Sequence, residues 1–190
     1  MNKLLSVLIA GFFVTGAFAQ ATPATPAAGA PSSGAPAGVS AFVERNLPLA
    51  ERVAEKTGVA PEVLLGQWGL ETGWGKSVIP GTNNLGNIKD PSGRGAMATD
   101  NMTGSRDAYR RYDTPEQFGD DYASLLARRY APALNAGGDS QKFFGDLKRL
   151  GYAEDPGYVG KGVQATRMVA AAMGRPAPAG GAGSKSQDFV

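Results

Sequence analysis

The spacing of apolar side chains divides the chain into five predicted helices and one region without helical spacing. A first helix is predicted over 42–56 and a second from Pro61 to Gly73, because apolar residues recur every three or four positions and a glycine follows each segment. Pro48 is predicted to kink or restart the first helix, since proline lacks the amide hydrogen that a helix interior requires.

The three later helices are predicted from their start signals as well as from their apolar stripes. Thr114 opens the pattern of a capping box, with a proline in the first turn and a glutamine three positions on. Asp139 is predicted to cap a fourth helix, and Asp155 to open a fifth. Each of these segments then carries aromatic or aliphatic residues on one face, which predicts burial of that face.

Residues 74–112 follow a different pattern, in which Gly, Asn, Pro, Asp and Ser separate short apolar pieces such as 85–88 and 108–112. This punctuation is typical of a loop-rich lobe with a small hairpin. Five helices and one small sheet predict an α+β domain that is mainly helical. No internal repeat is visible in the sequence.

Both ends of the chain differ in composition from this domain. Residues 1–19 combine a lysine, an apolar run and an A-x-A ending, which indicates a secretory signal peptide. The protein is therefore predicted to be exported to the periplasm or the extracellular space, without stable membrane insertion after cleavage. Residues 20–38 and 174–190 are rich in Ala, Pro, Gly and Ser, which predicts a disordered linker and tail around a folded domain at 39–173.

The composition excludes several kinds of chemistry. The 190 residues include no His and no Cys, so Ser-His-Asp triads, ordinary zinc-hydrolase sites and thiol nucleophiles are ruled out. Hydrolytic chemistry would have to use carboxylates, tyrosine or lysine, and we predict no metal and no organic cofactor. The net charge is only +2, and the Lys and Arg residues are spread among acidic residues rather than clustered. Both features argue against nucleic acid as a partner.

Glu71 is the strongest candidate for a catalytic group. It lies in the last turn of the second predicted helix, between Trp68 and Trp74 in GQWGLETGWGKS. Indole faces that remove water, and the negative end of the helix dipole, would both raise the pKa of this carboxyl. A carboxyl that stays protonated near neutral pH is what a glycosidase needs to protonate a departing oxygen. The alternative on the residues alone is a solvated glutamate beside two core tryptophans.

Four sequence blocks, in order between about residue 42 and residue 168, resemble the family 73 glycoside hydrolases, the glucosaminidase domains of autolysins and flagellar peptidoglycan hydrolases. The blocks are GQWGLETGWGKS, NNLGNIK, RDAYRRYDTPEQFGDDYASLL and GYAEDPGYVGK. The resemblance implies a lysozyme-like fold, with a cleft between a helical lobe and a small β-hairpin lobe. It also implies hydrolysis of the β-1,4 bond after N-acetylglucosamine in the glycan strands of peptidoglycan.

The resemblance implies roles for three residues. It places the general acid at Glu71 and a tyrosine of the fourth block at Tyr152, for which we expect hydrogen bonding and positioning of the sugar ring, or else packing at a helix start. The second catalytic glutamate of the family, in TTEY-x-x-G, corresponds to Asp100 in ATDNMTG. Asp100 is one methylene shorter, and it is either the base that activates water or a turn residue.

Further residues fall near the implied cleft. Amides can bracket the acetamido and hydroxyl groups of a sugar, and aromatic faces can stack on its ring. Each of these residues also has an ordinary structural role open to it, in a turn or in the core. The predicted substrate-binding residues are Trp74, Asn83, Asn84, Asn87, Tyr109 and Tyr112.

Two other functions stay open on the sequence alone. A lytic transglycosylase would share the fold, use the single carboxyl of Glu71 and leave a 1,6-anhydromuramic end. A wall-binding or secretion-assembly module would have lost activity through its altered second carboxylate. The predicted partner is the peptidoglycan glycan strand, with a secretion or flagellar assembly as a further candidate, and we expect a monomer.

Overall fold

The computed structural model describes residues 35–99 and 104–176. The predicted signal peptide and most of the predicted linker and tail therefore lie outside the described residues. No helix within the described ranges has both the length and the apolar character needed to cross a membrane. The elements are α1 (Ala37–Thr57), α2 (Pro61–Thr72), β1 (Ala96–Thr99), β2 (Arg106–Tyr109), α3 (Pro115–Arg129), a 3₁₀ turn (Ala131–Ala133), α4 (Ser140–Arg149) and α5 (Tyr158–Ala172).

α1 is longer than its sequence pattern predicts. It begins at Ala37 rather than at residue 42, so its first two residues belong to the stretch predicted to be linker, and Val39 directly after them is buried in the core. It also continues through Pro48 as one helix, so the prediction of a restart there is wrong. Gly58, in the left-handed region with φ of 66°, ends it as predicted.

α2 is enclosed on nearly every side. Nine of its twelve residues are buried, and it packs against both α1 and α5. Pro61 occupies its first turn, and Gly73, with φ of 56°, closes it by donating its amide to the carbonyl of Gly69. At Gly66 the backbone of α5 comes so close that a β-carbon would lie 2.8 Å from the amide nitrogen of Thr166.

The predicted helix caps are present in α3 and α4. Thr114 accepts a hydrogen bond from the amide of Gln117 at 3.3 Å. The Gln117 side-chain oxygen in turn accepts from the amide of Asp113 at 2.8 Å, one residue before the cap itself. Asp139 caps α4 by accepting from the amide of Lys142 at 2.9 Å. These bonds satisfy amides that a helix start leaves without intrahelical partners.

The small lobe contains the predicted hairpin. β1 and β2 pair antiparallel, with Ala96 opposite Tyr109 and Thr99 opposite Arg106. The apolar side chain of Met97 is 48% exposed, so this strand does not follow an apolar alternation. Five helices and one two-stranded sheet among the described residues confirm the α+β, mainly helical class.

The apolar piece 85–88 begins with a turn at residues 85–86 and meets the end of β2, where the carbonyl of Ile88 accepts from the amide of Arg110 at 2.9 Å. The Asn84 side chain organises it, accepting from the amide of Ile88 at 2.9 Å and donating to the Ile88 carbonyl at 3.0 Å. The same amide group donates to the carbonyl of Arg110 at 3.0 Å. Bonds from the Asn84 side chain thus fix this turn, and Ile88 enters the core.

Asp121 on α3 fastens the small lobe to the helical lobe. One of its oxygens, Oδ2, lies 2.5 Å from Nη1 of Arg110 and accepts from the Tyr112 hydroxyl at 2.7 Å. Both partners lie just after β2, so the end of the hairpin is fixed against α3. The Tyr112 ring is buried and packs edge to face on Phe118.

Candidate active site

Glu71 lies in the last turn of α2 with its carboxyl inside the protein. The side chain is 1% exposed, and this burial raises the pKa of the carboxyl well above its ordinary value. The hydrogen bond that Gln67 Nε2 donates to Glu71 Oε1, at 3.3 Å, acts in the opposite direction and lowers the pKa. Glu71 Oε2 is buried and has no hydrogen-bond partner. The protonated form is therefore the favoured one.

Gln67 connects Glu71 to two buried tyrosines. Its Oε1 accepts from the hydroxyl of Tyr122 at 3.1 Å, and its Nε2 lies 2.8 Å from the hydroxyl of Tyr152, to which it donates. Tyr158 lies beside them, because its ring stacks on Tyr152 at 6.1 Å, and its buried hydroxyl has no hydrogen-bond partner. We call Gln67, Glu71, Tyr122, Tyr152 and Tyr158 the buried polar cluster.

The three tyrosines of the buried polar cluster stay neutral. Burial raises the pKa of each hydroxyl above its ordinary value, and a negative charge on Glu71 would raise it further. They come from three separate parts of the chain, namely α3, the α4–α5 connection and α5. Glu71 is thus surrounded by uncharged hydroxyl and amide groups, and none of the three hydroxyls is available as an anion.

Tyr152 is fully buried. Its ring packs edge to face on Tyr130 at 5.2 Å and stacks on Tyr158 at 6.1 Å, while its hydroxyl meets the amide of Gln67. The structure thus gives Tyr152 a place in the buried polar cluster, and its part in catalysis stays a prediction.

The two tryptophans that flank Glu71 pack on other aromatic rings. Trp68 lies edge to face on Phe118 at 5.3 Å and on Tyr122 at 5.6 Å. Trp74 adopts a left-handed φ of 60° and packs on Phe42 at 5.8 Å. Both indoles therefore fix the end of α2 in the core, and Trp74 remains only partly buried.

The three asparagines of NNLGNIK have separate positions. Asn84 is fully buried, with its amide hydrogens donated to main-chain carbonyls. Asn87 donates to the main-chain carbonyl of Glu71 at 2.6 Å, which satisfies one of the carbonyls that a helix end leaves unpaired. Asn83 donates to the carbonyl of Tyr112 at 2.9 Å and stays partly exposed. Asn87 therefore joins the small lobe to the residue that carries the carboxyl.

Two surface cavities lie beside the end of α2 and the segment that follows it. One, of about 380 Å³, is lined by residues that include Trp74, Lys76 and Lys161. The other, of about 360 Å³, includes Asn83 and Glu116. Glu71 lines neither, while Tyr109 and Tyr112 are buried and line neither as well. Of the six predicted substrate-binding residues, Trp74 and Asn83 thus retain the most accessible surface.

Asp100 follows the last residue of β1 and lies outside the described residues, within 100–103. Its role as the second carboxylate stays a prediction. On β2, Asp107 accepts from Lys89 at 2.7 Å and from Ser105 at 2.9 Å, and these bonds lower its pKa. Asp90 has a lowered pKa because Ser92 donates to it. Both are ionised at neutral pH, but their oxygens already accept hydrogen bonds.

We expect the burial of Glu71 to be visible in the pH dependence of stability. The folded-state pKa is raised above an ordinary value of 4.5, so the stabilising contribution of the protonated carboxyl is complete below that pH. It is lost as the pH rises through the raised pKa. Urea unfolding of the parent and of Glu71→Gln across this range should show a loss of stability that the variant lacks. Parallel curves for the two proteins would contradict the burial.

A mainly helical domain with a small hairpin lobe, and a buried glutamate at the end of its central helix, is the arrangement of a glycoside hydrolase with a lysozyme-like fold. The sequence profile described as glucosaminidase, mannosyl-glycoprotein endo-beta-N-acetylglucosaminidase, matches residues 47–169. The chain belongs to this family. The resemblance to the family 73 glycoside hydrolases is thus confirmed.

Individual proteins similar to this chain include peptidoglycan hydrolases. FlgJ of Pseudomonas aeruginosa is 36% identical over 149 residues, which are 70% of this chain and 37% of that protein. The crystal structure of a peptidoglycan hydrolase from Sphingomonas sp. A1 is 34% identical and covers 75% of this chain and 99% of that one, with a TM-score of 0.63. The glycoside hydrolase domain of Salmonella typhimurium FlgJ is 27% identical, with coverage of 72% and 91% and a TM-score of 0.58.

The extent of these matches differs between the relatives. The chain spans 37% of the Pseudomonas aeruginosa FlgJ and 46% of the FlgJ of Vibrio parahaemolyticus, which is less than half of either protein. It spans nearly the whole of the Sphingomonas chain. The structural similarity confirms the lysozyme-like fold class.

Proposed function

We propose that this protein hydrolyses the β-1,4 bond that follows N-acetylglucosamine in the glycan strands of peptidoglycan. Membership of the glucosaminidase family supports the reaction, and similarity to proteins named as peptidoglycan hydrolases supports the substrate. The observation that carries the proposal is the carboxyl of Glu71, which is buried at a helix end with one oxygen unpaired. A carboxyl in this state is suited to act as a general acid.

In the proposed reaction Glu71 gives its proton to the glycosidic oxygen as the bond to the sugar breaks. The electron pair of that bond stays on the oxygen, and the sugar carbon passes through an oxocarbenium-like state that water attacks. Asp100 is proposed as the base that takes a proton from this water. Separation of the two carboxyls by about 6.5–9.5 Å would give inversion at the sugar carbon.

Trp74 and Asn83 are the proposed sugar contacts. Both are partly exposed, and each lines a cavity beside the end of α2. An indole face suits the apolar side of a pyranose ring, and an amide suits its hydroxyl or acetamido groups. The more deeply buried Asn84, Asn87 and Tyr112 are proposed to hold the loops and the hairpin in place.

Product analysis tests the proposed reaction. Purified peptidoglycan sacculi are digested with the protein, and the soluble fragments are identified by mass spectrometry. Fragments with a reducing N-acetylglucosamine end are the expected result. A 1,6-anhydromuramic end would instead identify a lytic transglycosylase that uses Glu71 alone. Absence of soluble fragments, with retention of the protein on the sacculi, would identify a binding module.

We further propose export and action as a monomer in the periplasm or outside the cell, without nucleic acid as a partner. The sequence of residues 1–19 supports export, and the proposed wall substrate lies outside the cytoplasmic membrane. Similarity to FlgJ makes a flagellar or secretion assembly a further proposed partner. Cell fractionation with and without residues 1–19 checks the proposed location.

A further inference from the structure

Gln67 occupies a central place in the buried polar cluster. We propose that Gln67 is a positioning residue, which holds one oxygen of the Glu71 carboxyl, Oε1, and so leaves Oε2 as the oxygen that carries the catalytic proton. The inference rests on the proposed function, because it assigns the transferred proton to a particular atom. It depends on the geometry of three hydrogen bonds and on one unpaired oxygen.

The Gln67 amide is oriented by its hydrogen-bond partners. A carboxamide has a donor end and an acceptor end, and its partners decide which way it points. The Tyr122 hydroxyl donates to Oε1 at 3.1 Å. The two hydrogens on Nε2 then face the Tyr152 hydroxyl at 2.8 Å and Glu71 Oε1 at 3.3 Å. Both hydrogens on Nε2 and the oxygen Oε1 therefore have partners in this orientation.

The Gln67 amide is held firmly in place by its surroundings. Gln67 is fully buried and lies four residues before Glu71, which puts the two side chains on the same side of α2. Tyr122 reaches it from α3 and Tyr152 from the α4–α5 connection. Three parts of the fold therefore converge on one amide, and the buried helix beneath it has little room to shift.

Glu71 Oε2 is the oxygen of the carboxyl that has no hydrogen-bond partner. A buried polar atom without a partner is uncommon and calls for an explanation. Because Oε1 already accepts an N–H, the proton of the neutral acid belongs on Oε2, which has no hydrogen-bond partner and can donate the proton to an incoming group. After the proton has moved to the glycosidic oxygen, Oε1 keeps its bond from Gln67, which stabilises the carboxylate that remains.

The titratable groups that face Glu71 do not interfere with this assignment. They are Tyr122 from α3, Tyr152 from the α4–α5 connection and Tyr158 from α5. Burial raises the pKa of each, so all three stay neutral while Glu71 titrates. A change in the titration of Glu71 on replacement of Gln67 is therefore a direct effect of the lost hydrogen bond.

The test is Gln67→Met, which approximates the shape of glutamine and removes the donors. We expect kcat to fall by about 100-fold, the effect of a misplaced reacting group, with little change in KM. The acid must be protonated, so activity is lost as the pH rises through the pKa of Glu71. Since the bond from Gln67 lowers that pKa, the basic limb of the kcat profile should move to higher pH in the variant.

Two further variants separate positioning from stability. Thr57→Val removes a buried hydroxyl that donates to the Val53 carbonyl at 2.8 Å on α1, away from the cluster. It should lower stability and leave the basic limb where it is. Tyr122→Phe keeps the ring and removes the hydroxyl that orients the Gln67 amide. It should lower kcat by about tenfold, since the amide loses the partner that fixes it.

A readout without substrate is the ¹³C NMR titration of the Glu71 carboxyl, assigned by its absence in Glu71→Gln. The pKa should be higher in Gln67→Met than in the parent. If neither the Glu71 pKa nor the basic limb of the kcat profile changes, the inference is overturned. A shift of both to lower pH would also overturn it, because that result means that Gln67 accepts the proton of the acid. If Gln67→Met does not fold, parent-like kcat in Tyr122→Phe overturns it. Full activity of Glu71→Gln would instead overturn the proposed function itself.

Discussion

Glu71→Gln will lower kcat on peptidoglycan by roughly 10²- to 10⁴-fold, the usual contribution of a general acid. Glutamine preserves the shape of the side chain and an oxygen that can accept from Gln67 Nε2, but it has no proton of the required acidity to give. Substrate binding should change little, because the carboxyl is 1% exposed and contributes little surface to a bound glycan. The release of reducing ends from purified sacculi, followed over a pH series, measures the loss.

The same helix offers a matched control for this variant. Glu62 lies in the first turn of α2 and pairs with Arg175 at 3.3 Å near the surface. Glu62→Gln makes the same chemical change without touching the buried polar cluster. Its rate should stay within about twofold of the parent, because its pair with the half-exposed Arg175 lies at the other end of α2 from Glu71. Equal rates for Glu71→Gln and Glu62→Gln would remove Glu71 from the reaction.

Gly66→Ala will lower the free energy of unfolding by about 3 kcal/mol, at the upper end of what overpacking usually costs. The added β-carbon would lie 2.8 Å from the amide nitrogen of Thr166 and 3.0 Å from its α-carbon. These are backbone atoms, so no side-chain rotation relieves the contact and α2 must move away from α5. Urea denaturation followed by circular dichroism measures the change.

Gly160→Ala on α5 is the control for this substitution. A β-carbon at this exposed helical position would have no atom within 4 Å, so alanine adds helix propensity without a clash. It should raise the free energy of unfolding by up to about 1 kcal/mol. If Gly66→Ala proves as stable as the parent, the close approach of α2 to α5 is not the constraint that the geometry indicates.

The helices of the fold are largely readable from the sequence, because their signals are local. The caps at Thr114 and Asp139 depend on residues three positions apart and appear as predicted. The sequence pattern predicts the start of α1 at residue 42 rather than at Ala37, since Ala37 and Gly38 resemble the linker in composition. Burial of Val39 is what assigns this stretch to the helix, and burial depends on the rest of the fold.

The strands were harder to place than the helices. β1 has the sequence AMAT, with two alanines and an exposed methionine, so it has little of the β-branched and aromatic character that marks a strand. Residues 85–88, another short apolar piece, do not form a strand. The Asn84 side chain bonds to the amide and the carbonyl of Ile88, and this stretch meets β2 through an isolated bridge between Lys89 and Tyr109.

The residues of the candidate site also differ in how far the sequence alone identifies them. Glu71 could be singled out because the helix end, Trp68 and Trp74 are within three residues of it. The role of Gln67 could not, because its partners Tyr122 and Tyr152 are 55 and 85 residues away in the chain. The spacing of four residues between Gln67 and Glu71 was the available signal, and a helical glutamine is ordinarily a surface residue.

The enclosure of α2 limits how the protein can adjust to a long glycan strand. A segment surrounded by core contacts opens only when much of the protein opens, so its amides should be among the last to exchange with solvent. The end of α2 therefore gives the reaction a fixed reference point. Adjustment to glycan strands with different degrees of cross-linking would then fall to the parts of the chain around α2. Slow turnover of a substrate would reflect poor binding of the strand rather than movement of the Glu71 carboxyl.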